Sequence, residues 1–268
     1  MKSNLPNLLR KRKLIAEIVR FRLKSSAVDN RLGYLWWLID PIIMVIIYWF
    51  VFSVIRSTHN YSPYPVFIGC AVVSWKYFTR CFSNGIRIFK THGATMRSIP
   101  FPTAVLPIAL VAEEGVLFAF GLTALLVAAA GMGVHPTFYA LQLVPLVIIQ
   151  AAMMLGITLL MACLGALIYD LSIYVNHVVM FLFYLSPSLY GLDLLEKHFA
   201  SSPWLVDVYM FVNPFAILFT SYRHAIWSHQ MIPMWWWGVM CIHTSVLLYT
   251  GYRTYQLLDR RLLKASAA

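Results

Sequence analysis

Acidic residues are scarce in this sequence, and charge of either sign is thin. Asp and Glu together number 10 of 268 residues against 21 Lys and Arg, and the four charged types make up only 12% of the chain. A soluble domain carries roughly a quarter charged residues. With 60% hydrophobic residues and a mean hydropathy of +0.72, a water-soluble fold of this chain would have to expose large apolar patches and is excluded. Disorder is excluded too, because 15% aromatics and long apolar runs oppose its compositional signature. Cysteine is rare: Cys70, Cys81, Cys163 and Cys241 lie in or beside apolar stretches, without C-x-x-C spacing or paired His. They read as four buried thiols rather than as disulfides or a metal site. No G-x-x-x-x-G-K-[ST] loop, G-x-S-x-G elbow or H-E-x-x-H helix occurs, so the chain is expected to be no enzyme and to hold no cofactor. His177, beside Asn176, reads as a backbone hydrogen-bonding residue rather than a catalytic one. The first thirty residues are basic and lack the apolar core of a cleavable signal, so insertion is expected to rely on the spans.

What is abundant is apolar sequence in lengths of about 20 residues, the length a bilayer-crossing helix needs. Six such segments are expected, at 34–56, 65–83, 104–130, 138–168, 174–192 and 232–252. The fold expectation is an all-α integral membrane domain comprising the whole of 1–268, with 1–33 and 253–268 flanking the six spans. Eighteen of the 21 Lys and Arg fall in 1–33, 76–103 and the tail, against Arg56, Lys197 and Arg223 on the other side. Cytoplasmic flanks hold the basic excess, so both termini are expected in the cytoplasm. Lys76 and Arg80 are expected to snorkel out of the second span. This assignment also absorbs the net charge of +11, which in a soluble protein would point to nucleic acid, a partner not expected here.

Residues 8–24 place Leu8, Leu14, Ile15, Ile18, Val19 and Phe21 on one broad side of a helix, with Lys11 and Arg22 intruding on it. The pattern fits an interfacial helix, either a basic anchoring arm or a docking surface for a cytoplasmic partner. Residues 193–231 are polar and then apolar again, and Asn213-Pro214 interrupts the apolar part. Two half-helices that enter the outer leaflet and return are expected there, a geometry that requires surrounding protein or a water-filled cavity.

Two kinds of residue inside the spans carry information. Glu113 and Glu114 fall ~14 Å into the third span at 1.5 Å per residue. They suit either a proton- or cation-coupling site or carboxylates paired to a neighbouring cation or kept protonated. Without the repeated broken spans of coupled transporters, the second reading is preferred. The deeper aromatics are Trp37, Tyr48 and Phe52 in the first span and Phe181, Tyr184 and Tyr190 in the fifth. Such rings stack on the apolar faces of sugars, and Tyr and Trp add a hydrogen-bonding edge; ordinary helix packing is the alternative use.

Arg31-Leu32-Gly33-Tyr34-Leu35-Trp36, continuing to Asp40-Pro41, resembles the start of the first span in membrane subunits of ABC exporters for surface polysaccharides, of the capsule, O-antigen and teichoic-acid types. Ile99-Pro100-Phe101-Pro102 with Leu106-Pro107, then Asp170-Leu171, Ser186-Pro187 with Tyr190, and Asn213-Pro214 with Tyr222-Arg223 are similar to that family's sequence in the same order. Tyr169 stands where many relatives carry Arg. The resemblance implies a homodimeric permease in the bacterial inner membrane that exports a lipid-linked polysaccharide, capsule type slightly favoured. It also implies two copies of a partner ATPase holding ATP and Mg²⁺, and periplasmic and outer-membrane export partners. Arg12, Ile15 and Val19, with Arg87 and Lys90 in the stretch 85–99, would contact the ATPase. The aromatics above would line the channel, and Asn213, Pro214 and Arg223 would form the outer re-entrant region. An ion-coupled transporter using Glu113 and Glu114, or an intramembrane enzyme acting on lipid-linked sugars, is the alternative.

Overall fold

The computed structural model of the chain describes residues 12–28, 33–56, 61–91, 103–168 and 170–265. These residues form ten α-helices and two short 3-10 turns, with no strand among them. The start of the expected 8–24 helix, Arg31 and Leu32 of the Arg-Leu-Gly-Tyr run, the Ile99–Pro102 motif and Tyr169 lie outside this set. Helix α1 is Arg12–Val28. After a 3-10 turn at Gly33–Leu35, begun at a positive φ of 55° that suits Gly33, α2 runs Trp36–Arg56. Then follow α3 (Tyr64–Thr91), α4 (Val105–Gly131) and α5 (Leu143–Leu167). The remainder is α6 (Leu171–Leu185), α7 (Leu192–His198), α8 (Trp204–Val212), α9 (Pro214–Ile226) and α10 (Met234–Ala265).

Helix α5 is the central post, packed on α10 and α3, while α3 also packs on α4. Small residues let the backbones meet, as in membrane helix pairs generally. A Cβ on Gly165 would run into the carbonyl of Ile86, and one on Gly156 would lie 2.5 Å from the Leu247 carbonyl carbon. A buried polar knot ties the same helices. Gln150, fully buried on α5, donates to the carbonyl and hydroxyl oxygens of Ser74 on α3 (3.0 Å each) and accepts from Tyr222 Oη on α9 at 2.6 Å. Each buried group in that knot is satisfied, which is what burial in an apolar interior demands.

Each of the six expected spans falls on a helix, but among the described residues three helices qualify as membrane-crossing by length and composition: the segment Gly33–Val51, then Val105–Gly131 and Phe138–Leu167. A fourth arises if the pair α8 and α9 counts as one broken span. Helix α3 is 28 residues long but carries Lys76, Arg80, Arg87 and Lys90. Helix α10 opens on three Trp and carries His243-Thr244-Ser245 in its middle. The expected 174–192 span is cut short. Helix α6 has only 15 residues, because Ser186 before Pro187 is driven to extended backbone (φ −89°, ψ 154°).

The interruption at Asn213-Pro214 is as sharp as the sequence implies, with α8 and α9 meeting at 100°. Asn213 is extended (φ −98°, ψ 101°), and its side-chain oxygen accepts from the amides of Phe215 (3.0 Å) and Ala216 (3.3 Å). Pro214 fills the first helical position, where a missing N–H does no harm. The two halves differ in kind: α9 is buried from Phe215 to Arg223, whereas α8 exposes Trp204, Val208, Phe211 and Val212. Of the four expected buried thiols, Cys70, Cys81 and Cys163 are buried, while Cys241 is exposed on the outward face of α10.

Candidate functional site

Helices α2, α3 and α6 enclose a groove of about 360 Å³. One end is aromatic and apolar, with Tyr48 and Met44 from α2, Trp75 from α3, and Met180, Phe183 and Tyr184 from α6. The other end is polar, with Lys76, Thr79 and Arg80 from α3 and Asn176 from α6. The ring centroids of Tyr48 and Phe183 stand 5.5 Å apart, as do those of Trp75 and Phe183. Of the six aromatics named from the sequence, Tyr48 and Tyr184 therefore share this groove. Phe181 is 66% exposed on α6. Tyr190 lies past the end of α6 and offers its carbonyl to Arg223. Trp37 is buried on another side, edge-on to Tyr34 at 4.9 Å and near Phe120 of α4 at 5.5 Å. Phe52 belongs to the part of α2 whose side chains are not described. Trp75 and Phe183 were missed in the sequence because an aromatic at a helical position looks the same whether it faces core or cavity.

The polar end is held by an ionic cluster that draws on four helices. Asp40 of α2 accepts from Lys76 Nζ at 2.6 Å and Arg80 Nη2 at 2.8 Å. Arg80 reaches on to Glu114 of α4 at 3.4 Å, where Asn84 also donates at 3.1 Å. Lys76 and Arg80 thus turn inward to carboxylates instead of snorkelling outward. Glu113 faces α1, with Arg22 Nε 2.7 Å from its Oε2. That approach is an ion pair without hydrogen-bond alignment, since the same Oε2 and Arg22 Nη1 are buried with no hydrogen-bond partner among the described residues. The placement explains why Arg22 interrupts the apolar side of α1. Three cations and three anions meet here, so the cluster is close to neutral, the condition under which charge is tolerated away from water.

Arg223, grouped from the sequence with the outer re-entrant region, is 3% exposed. Its Nε, Nη1 and Nη2 donate to the carbonyls of Phe67 (3.2 Å), Tyr190 (3.0 Å) and Ser188 (2.7 Å), and its guanidinium lies 3.7 Å above the Phe67 ring. Close by, Tyr64 Oη donates to the Leu189 carbonyl at 2.7 Å and Tyr61 Oη to Asp193 at 2.6 Å. Burial, then the hydrogen bond to Asp193, pushes the Tyr61 phenol above its usual range and keeps it a donor. These contacts fix the turn of residues 186–191 that follows the short α6.

On α1, Ile15, Ile18, Val19, Arg22 and Leu23 form a half-buried face, and the helix packs on α4. Ile15 and Val19 therefore face the protein, whereas Arg12 is exposed. Arg87 and Lys90 are exposed on the last turns of α3. His177 is exposed on α6. No cluster of metal-ligating side chains occurs among the described residues.

Comparison with known proteins gives a consistent picture. The chain is similar to the O-antigen export system permease protein RfbA of Myxococcus xanthus, with 26% identity over 220 residues, 82% of each chain. It is similar to two such permeases of Klebsiella pneumoniae: 27% identical over 211 residues, 78% of each, and 24% over 249 residues, 92% of this chain and 93% of the relative. No protein-family model matches the chain.

Proposed function

We propose that this chain is the transmembrane permease subunit of an ATP-driven exporter that moves a lipid-linked surface polysaccharide across the bacterial inner membrane. The observation that carries the reading is similarity to O-antigen export permeases along most of the chain. The relatives' names draw the polymer toward the O-antigen type and give no support to the capsule type favoured from the Arg-Leu-Gly-Tyr run. In this reading the chain works as a homodimer with two copies of a nucleotide-binding subunit, which holds ATP and Mg²⁺. All six helices at the expected segments cross the membrane, α8 and α9 form the outer re-entrant element, and both termini are cytoplasmic. Exposed Arg12, Arg87 and Lys90 supply charge for engaging the ATPase. Periplasmic and outer-membrane partners complete the route.

The groove between α2, α3 and α6 supports the sugar part of the reading, because Tyr48 and Tyr184 present rings together with hydroxyl groups over which a polymer can slide. An ion-coupled mechanism is the weaker alternative, since Glu113 and Glu114 each face an arginine. The reading is tested by purifying the tagged chain in mild detergent and identifying its companions. A nucleotide-binding subunit is expected in the eluate; its absence under every mild condition overturns the proposal.

A further inference from the structure

Two adjacent carboxylates on α4 hold two different neighbours. Side chains of consecutive helical residues point about 100° apart. Glu113 accordingly meets Arg22 of α1, while Glu114 meets Arg80 and Asn84 of α3. Arg80 in turn pairs with Asp40 of α2 and lines the groove beside Lys76. An unbroken series of charges thus runs from the basic helix α1, through one turn of α4, to the polar end of the groove.

The links in the series are unequal. Asp40 binds Arg80 by a hydrogen-bonded ion pair of 2.8 Å, and Glu114 has the additional Asn84 donor. The α1 link has proximity alone: Arg22 Nη1 and Glu113 Oε2 are buried without hydrogen-bond partners among the described residues. A buried donor and acceptor left unaligned are destabilising where they stand and favour any small shift of α1 that aligns them. At 2.7 Å this link is already short, so what a small shift of α1 can add to it is alignment rather than closeness.

We infer that Glu113-Glu114 is a coupling joint: displacement of α1 brings the Arg22–Glu113 pair into hydrogen-bond alignment, and Glu114, carried on the same rigid turn, repositions Arg80 against Asp40 at the groove. Glu113 and Glu114 are positioning residues in this scheme and touch no substrate. The inference rests on the reading of the chain as the membrane subunit of an ATP-driven exporter, with α1 on the motor side.

The test compares export with ATP hydrolysis. Arg22→Glu, Glu113→Arg and the double charge swap are introduced into the full chain. ATP hydrolysis is measured on the purified complex with its nucleotide-binding subunit in nanodiscs, and export as surface polysaccharide in cells lacking the native permease. Each single variant is expected to keep hydrolysis within about twofold while export falls at least tenfold, and the swap is expected to regain export to within about threefold of the unmodified chain. Normal export in both single variants, or a swap no better than either, overturns the joint. Should charge reversal prevent assembly, Arg22→Gln and Glu113→Gln give the same ratio; if these also fail to assemble, the pair is a folding pin and the inference falls. Failure of the export reading looks different: the unmodified chain then yields no complex with a nucleotide-binding subunit at all.

Discussion

Arg223 binds three carbonyls on two separate segments, and it does so through the fork of donors that only a guanidinium has. Two of those carbonyls, at Ser188 and Tyr190, belong to a turn that lies outside regular structure and so lacks the internal partners a helix would provide. Arg223→Gln should lower stability by about 2–4 kcal/mol, because buried acceptors are left unpaired. Arg223→Lys should be nearly as harmful, since one ammonium on a flexible stem cannot reach three carbonyls in the same geometry. Thermal unfolding of the detergent-purified chain checks both; a Lys variant as stable as the parent would show that charge alone is needed. The sequence reading grouped this residue with Asn213-Pro214 and did not anticipate its burial. Nothing in the local pattern distinguishes an arginine facing water from one whose partners are backbone carbonyls 33 to 156 positions away.

At the scale of helices, backbone contact decides which positions are intolerant. Gly156 faces the backbone of Leu247 and Leu248, so a methyl group there must push α5 from α10, whereas Gly238 on α10 has open space around the same atom. Gly156→Ala should therefore destabilise by at least about 1–3 kcal/mol, as overpacking does. Gly238→Ala should be neutral or stabilising by up to about 1 kcal/mol through helix propensity. Folded yield and melting temperature in detergent should move in opposite directions for the two; equal behaviour would contradict the packing described. The elements themselves were largely legible. Apolar length placed a helix at each of the six expected segments, and Asn-Pro marked the break between α8 and α9 to the residue. The premature end of α6 was signalled by Ser186-Pro187 but was hidden inside a run of apolar residues that continues past it. The orientation of α1 was not legible, because Arg22 looks misplaced until Glu113, 91 positions later, is seen opposite it.

Across the whole molecule, charge separates into an internal neutral cluster and an external basic excess. Lys76, Arg80 and Arg22 are matched by Asp40, Glu113 and Glu114, leaving exposed residues such as Arg12, Lys13 and Lys24 to give α1 its outward positive character. Phe21, 74% exposed on that helix with Leu14 one heptad earlier, adds an apolar ridge beside the basic face. The groove belongs to this scale as well, since three helices distant in sequence build it. Tyr48→Ala together with Tyr184→Ala should reduce polysaccharide display at the cell surface several-fold while leaving the amount of assembled complex unchanged. Tyr48→Phe and Tyr184→Phe should retain most of it if stacking matters more than the hydroxyl groups. Full display in the double Ala variant would return both rings to helix packing. The sequence supplied those two tyrosines as candidates, but it could not supply Trp75 and Phe183, which complete the wall from a helix outside the first and fifth spans and from the residue beside Tyr184.

The bend at Asn213 also says what the broken helix does not do. A helix start buried in a membrane protein is ordinarily an attractive place for an anion, because its first amides point outward unpartnered. Here Asn213 turns its own carboxamide oxygen over the start of α9 and occupies the amides of Phe215 and Ala216. The start of α9 is stoppered from within, and the amides of Phe215 and Ala216 are not left for an anion to claim.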